Sequence, residues 1–199
     1  MLDVAVKEGG FGEVREIKGS PIPPEQVLQN IRDSVAFDFP VVRKVPEREG
    51  VFVFIAGGPT LLDHLEEVRA RAAAGEFIVT SNNTHDWLVE KGIPISACLI
   101  FDPKEKVKDY VKRHQPGTQY YVATTNNKLT MQAFVDAGVK PQKVLMAYGL
   151  DESVDINLQK ELYPSIPASS YLVGGTMTPL RAIPFAYMLG FRKIEFYGL

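Results

Sequence analysis

Short apolar runs alternate with amphipathic segments from residue 51 to residue 199. The runs at 51–56, 77–81, 97–101, 119–123, 143–148 and 193–197 are rich in β-branched and aromatic residues and predict strands. The segments at 60–74, 84–91, 104–114, 128–137, 152–162 and 176–189 predict helices. In the last of these Pro179 suits a first helical turn, whereas Pro184 is expected to kink the helix or delay its start. Near-continuous apolar strands separated by helices predict an α/β fold whose mostly parallel sheet is covered on both faces.

Residues 1–24 hold Gly9, Gly10, Gly12, Gly19, Pro21, Pro23 and Pro24 and are expected to form an arm. Glu25–Val35 predicts a helix with Val27, Leu28, Ile31 and Val35 on one side. The expected organisation is therefore an N-terminal arm and helix over 1–50 and one α/β domain over 51–199. Within that domain the first helix is well specified. Leu61, Leu65, Val68 and Ala72 form an inward stripe, Glu66, Glu67, Arg69 and Arg71 face water, and Gly75 ends it. Thr60-x-x-Asp63 fits a capping box, which makes Thr60 the expected N-cap.

Composition narrows the class. Hydrophobic residues at 45% and charged ones at 23% are globular values, and a net charge of -2 gives no electrostatic footprint for nucleic acid or an anionic membrane. The single cysteine, Cys98, lies in an apolar run and predicts a buried small hydrophobe rather than a nucleophile, disulfide or zinc ligand. No apolar stretch reaches the roughly 20 residues that cross a bilayer. The first residues lack the basic and apolar regions of a signal peptide, so a cytoplasmic location is expected.

Candidate chemistry collects at the strand ends, where open α/β sheets bind ligands. Gly57-Gly58-Pro59-Thr60 stops the first strand and opens a helix, an arrangement that cradles a phosphate or other anion with backbone N–H groups. Ser81-Asn82-Asn83-Thr84 follows the second strand. Asn82 is free to meet a ribose hydroxyl or a base edge, while Asn83 or Thr84 is expected to cap the next helix. His85 is a candidate general base, with a surface position lacking any partner as the plainer expectation, and His64 and His114 fall on exposed helix faces. Asp102 precedes Pro103 and is a candidate for holding Mg²⁺ or ribose, or else starts a turn into the 104–113 helix. Thr124-Thr125-Asn126-Asn127 and Tyr148-Gly149 end two further strands. A second glycine pair, Gly174-Gly175-Thr176, precedes the last helix and either brings a second helix N-terminus to the same ligand or closes the fold.

Taken in order, Gly57-Gly58-Pro59-Thr60-Leu61, Ser81-Asn82-Asn83, Phe101-Asp102-Pro103, Gly174-Gly175-Thr176 and the closing segment Ala186 to Leu199 resemble the MptE-like superfamily over about residues 51–199. That group includes archaeal 6-hydroxymethylpterin diphosphokinases and the motility accessory factors (Maf) implicated in flagellin glycosylation, and it is similar to the family 42 sialyltransferases. The Asn-Asn-Thr-His-Asp-Trp-Leu segment looks most like uncharacterised phage and prophage members. The resemblance implies a Rossmann-like three-layer α/β/α nucleotide-binding domain. It also implies a nucleotide site carried onto Gly57, Gly58, Pro59, Thr60, Asn82, Asn83, Asp102, Gly174, Gly175 and Thr176.

Two departures bear on activity. The sialyltransferases have asparagine where this chain has Gly57 and Asp102, and their catalytic histidine lies beyond the last strand. The pterin kinases carry an acidic metal cluster near the third strand, of which Asp102 alone is present. The expected function is a transferase using a nucleotide-activated sugar, without a covalent cofactor. The alternatives are an ATP- and Mg²⁺-dependent diphosphokinase and a non-catalytic nucleotide-binding accessory protein. The expected partner is a nucleotide or nucleotide-sugar; oligomeric state is left open.

Overall fold

The computed structural model describes residues 22–149, 154–175 and 177–199. Seven strands form one parallel sheet: β1 (Val51–Ile55), β2 (Phe77–Ser81), β3 (Ala97–Ile100), β4 (Gln119–Ala123), β5 (Gln142–Met146), β6 (Tyr171–Leu172) and β7 (Lys193–Tyr197). Their order across the sheet is β6-β5-β4-β3-β2-β1-β7. The helices are α1 (Pro24–Asp33), α2 (Leu65–Ala73), α3 (Thr84–Glu90), α4 (Lys128–Asp136), α5 (Val154–Leu162) and α6 (Thr178–Met188). The expected α/β/α fold, Rossmann-like with a parallel sheet, is the one observed.

Side-chain alternation along the strands builds two separate cores. Phe52, Phe54, Val79, Leu99, Tyr121 and Met146 pack with Ala182, Phe185 and Ala186 of α6 on one face. On the other, Val53, Ile55 and Ile78 meet Leu61, Val68 and Leu88, and Cys98, Ile100 and Val122 meet Val107, Met131 and Phe134. Handedness explains the division. From β1 to β6 each step moves the same way along the sheet, so right-handed crossovers keep their connections on one face. Only α6 travels back across the sheet to deliver β7 beside β1, and it therefore covers the opposite face.

Several expectations are corrected. β6, only two residues long, has no pattern for periodicity to register. The 104–114 segment is a short 3₁₀ stretch, Glu105–Asp109, rather than an α-helix. The 60–74 helix opens with six 3₁₀ residues, Pro59–His64, so the α-helix itself starts at Leu65. Gly58, not Thr60, occupies the N-cap of that 3₁₀ segment, and no side chain caps it. Gly75 does end α2 as expected, with a positive φ and Glu76 N–H reaching back to the Arg71 carbonyl. Pro184 sits inside an unbroken α6 and does not delay its start. In α1 Val27 and Ile31 are buried, whereas Val35 faces solvent beyond the helix end.

The segment before β1 is tied to the sheet. Ile22, Val27 and Ile31 form a small core with Leu158 and Leu162 of α5. The buried ammonium of Lys143 in β5 donates to the carbonyls of Ser34 (3.2 Å) and Phe37 (2.8 Å). Val45 and Arg48 N–H groups bond the carbonyls of Met188 and Gly190, fastening the extended stretch before β1 to the end of α6. Residues 1–21 of the expected 1–24 arm lie outside the described residues, and its last part departs from an arm, with Ile22 buried in that small core and Pro24 opening α1.

Candidate functional site

The carboxyl ends of the parallel strands share one edge, and it divides into an open half and a filled half. At the open half the turn after β1 and the start of α3 face each other. Gly57, Gly58 and Pro59 from one side, and Asn83, Thr84 and Trp87 from the other, line a cleft of about 290 Å³. Leu61 and Leu62 complete its wall. Thr60 is exposed beside it and is not among the lining residues.

The glycines there answer to the protein itself. A Cβ on Gly58 would lie 2.5 Å from the Gly198 carbonyl oxygen, and one on Gly57 would lie 2.7 Å from Thr84 Oγ1. The Gly58 N–H donates to the Gly198 carbonyl at 2.7 Å, and Pro59 has no N–H. Two positions of the turn therefore have no free backbone donor, and the 3₁₀ start moves the α2 dipole away from it.

Asn82, between β2 and α3, is the single non-glycine residue with positive φ among the described residues, at 49°. Asparagine tolerates this left-handed conformation better than most residues. Its Oδ1 is buried and has no hydrogen-bond partner. Asn83 takes the N-cap position of α3 but its side chain makes no capping bond, and Thr84 lies inside the helix, so neither performs the expected cap.

The filled half spans β3 to β5. Asp102 Oδ1 accepts the Lys104 N–H at 3.1 Å, the local turn foreseen for an Asp-Pro pair. Asn126 is fully buried: its Oδ1 accepts from Ala123 N–H (2.8 Å) and its Nδ2 donates to the Asp102 carbonyl (2.8 Å), bracing two strand ends. Thr124 Oγ1 bonds Gln159 Oε1 at 2.6 Å, and Asn127 caps α4 by accepting from Leu129 N–H. Asn30 of α1 donates to the Thr125 carbonyl at 2.9 Å, drawing α1 over this part of the edge. No group of three or more His, Cys, Asp or Glu side chains placed to hold a metal occurs among the described residues.

His85 departs from the surface position expected of it. It is fully buried, with Nδ1 2.8 Å from Asp86 Oδ1 and Nε2 3.0 Å from the Tyr120 hydroxyl. Asp86 also accepts the N–H groups of Lys112 and Arg113, and the Tyr120 hydroxyl accepts that of Gln115. With Nδ1 as donor to the carboxylate, every bond of this chain is satisfied by a neutral imidazole. Burial holds the His85 pKa below its ordinary value despite Asp86, and raises Tyr120 to about 12. Both ring nitrogens are thus engaged inside the protein, fixing the 110–115 loop. His114 is half-buried in that loop and packs its ring on Tyr120 and Phe134, rather than lying on an exposed helix. Cys98 is fully buried, as expected, and burial pushes its thiol pKa well up.

Gly174 and Gly175 follow β6, at the opposite end of the sheet from β7 and five strand steps from β1. Both have positive φ, and a Cβ on Gly175 would meet Leu180 Cβ at 2.5 Å, so the pair makes the tight entry into α6. Thr176 lies outside the described residues. Arg181 locks this turn: buried, it donates from Nε to the Gly175 carbonyl at 2.9 Å. Sequence reading thus brings Gly57, Gly58, Pro59 and Asn83 to one cleft, places Asn82 beside them on the adjacent strand end, and leaves Asp102 and the second glycine pair at other strand ends. It missed Trp87, Leu61 and Leu62 as lining. The available signal was spacing, since Trp87 follows Asn83 by four residues and shares its helix face.

No protein-family model and no curated protein sequence matches the chain. Among solved structures, it superposes on the MAf glycosyltransferase from Magnetospirillum magneticum AMB-1 with a TM-score of 0.62 at 15% identity. The likeness is one of fold. It covers 87% of this chain and 27% of the glycosyltransferase, so the chain spans about a quarter of that enzyme's length. What the two share is the fold of the α/β domain.

Proposed function

We propose that the chain is the nucleotide-binding domain of a glycosyltransferase-like protein of the MptE-like and Maf superfamily, taking a nucleotide or nucleotide-sugar as ligand. The observation that carries this is the open cleft at the carboxyl ends of β1 and β2, within a fold shared with a Maf glycosyltransferase. Parallel α/β sheets bind ligands at this edge. The buried, unpartnered Asn82 Oδ1 beside the cleft supports a ligand bearing a hydrogen-bond donor, which a ribose hydroxyl supplies.

In this proposal the residues of the cleft bind and orient the donor. Asn83 offers donor and acceptor together, and the glycine turn sets the depth; outside the cleft, Asp102 presents a carboxylate at the end of β3. His85 is assigned a structural role, because both of its nitrogens are occupied. A diphosphokinase is the second reading, and Asp102 favours it: Mg²⁺ arriving with ATP needs only one or two protein carboxylates besides phosphate oxygens. An accessory protein that binds nucleotide without transferring anything is the third.

Thermal-shift measurements against CMP, CMP-sugars, UDP-sugars, ATP and GTP, with and without Mg²⁺, separate these. Metal-independent stabilisation by CMP or UDP compounds is the expected result, and Mg²⁺-dependent stabilisation by ATP would favour the kinase. Stabilisation without any sugar-donor turnover would favour the accessory reading. No response to any nucleotide would remove all three.

A further inference from the structure

We infer that the β1–β2 cleft receives the planar base of the nucleotide, stacked on Trp87, and leaves the phosphates outside it. This rests on the nucleotide reading above and reverses the orientation that a glycine-rich turn suggests. None of the cleft's lining residues carries a charge. Of the turn's backbone donors, Gly58 N–H is committed to Gly198 and Pro59 has none. A phosphate placed there would lose its hydration against aliphatic side chains with no charged residue in the lining, the Lys91 ammonium lying over the Trp87 ring, 5.6 Å from its centre.

A base meets the opposite situation. Pro59, Leu61, Leu62 and Trp87 supply apolar wall, and Leu62 is left 66% exposed at its rim. Aromatic rings bind any base through its π-face, independent of its substituents. Asn83, one helical turn before Trp87 on α3, lines the same cleft with an amide able to donate and accept toward a base edge. The volume, about 290 Å³, falls at the small end of ligand pockets, roughly 300–1,000 Å³, which suits a nucleoside better than a complete nucleotide-sugar.

Trp87 is the only tryptophan of the chain, so its emission reports on this cleft alone. Titration with cytidine, CMP, UMP, AMP, a pterin, ribose 5-phosphate and pyrophosphate, corrected for absorbance, is the test. At least one nucleoside and its monophosphate are expected to quench Trp87 saturably with similar Kd, while ribose 5-phosphate and pyrophosphate do not. A pterin that quenches when every nucleoside fails would overturn the base assignment in favour of the other heterocycle. Trp87→Leu should weaken nucleoside binding, followed by calorimetry, by about tenfold or more, and Trp87→Phe by roughly threefold or less. Circular dichroism checks the fold of both variants; should Trp87→Leu not fold, the wild-type titration and Trp87→Phe decide. Nucleotides that raise the melting temperature yet leave Trp87 emission unchanged would overturn this inference and spare the nucleotide reading. No binding by any nucleotide would end both.

Discussion

Gly58 shows how a single backbone position is fixed from outside its own segment. Its missing side chain makes room for the Gly198 carbonyl, which also takes its N–H. Gly58→Ala should therefore cost about 1–3 kcal/mol, because the obstructing atom is backbone just past the end of β7. Gly57→Ala should cost less, since its Cβ meets a threonine hydroxyl that can rotate. Urea unfolding of both variants tests the order; equal losses would show that the Thr84 hydroxyl is as immovable as the Gly198 backbone. The glycine pair itself was legible in the sequence, but its cause was not. Local pattern suggested close approach of a ligand and could not show that residue 198, far away in the chain, approaches Gly58 as well. His85 follows the same logic: its neighbours in sequence reveal Asp86 but not Tyr120, which topology brings in from β4.

At the scale of elements, legibility followed length and alternation. Six of the seven strands stand out as apolar runs; those inside the sheet are buried on both faces and need apolar residues at nearly every position, whereas the edge strand β7 is only partly buried. The two-residue β6 carries too little pattern, and Glu105–Asp109 packs only Val107 fully inward, enough for a 3₁₀ turn but not for the helix its charged spacing suggested. The attachment of α1 could not be read at all, because it depends on polar bonds to distant carbonyls. Lys143 is one of these ties, with Nζ bonded to Ser34 and Phe37 carbonyls and lying 5.0 Å from the centre of the Tyr163 ring. Lys143→Met keeps the bulk and removes the donors, leaving buried carbonyls bare. A loss of about 1–3 kcal/mol is expected. Limited proteolysis should then cut residues 22–50 sooner than in the wild type. Unchanged cleavage would show that apolar packing of Ile22, Val27 and Ile31 on α5 is sufficient by itself.

For the molecule as a whole, buried titratable groups set the pH range of stability. The folded-state pKa values of His85 and His114 are both lowered, chiefly by burial. Below the ordinary histidine value of 6.5 the unfolded chain takes up protons that the folded chain refuses, so stability is lost as pH falls from there toward the folded values. The slope can reach about 1.4 kcal/mol per pH unit for each group. On the alkaline side Cys98, Tyr120 and Tyr121 are held protonated, with both tyrosines at about 12, so stability declines once the unfolded thiol and phenols ionise. Denaturant unfolding across pH should give a plateau between these limits; flat stability below about pH 6.5 would contradict the burial of the two imidazoles. The sheet order carries one more consequence, for the history of each chain as it is made. β1 completes its pairing only when β7 arrives at its free side, Val51 against Lys193. Until then the apolar segment Val-Phe-Val-Phe-Ile presents a bare row of amides and carbonyls, the kind of edge on which chains aggregate. The interval before that edge closes is a period of vulnerability during synthesis, shorter for a chain whose α6 forms early and swings β7 home.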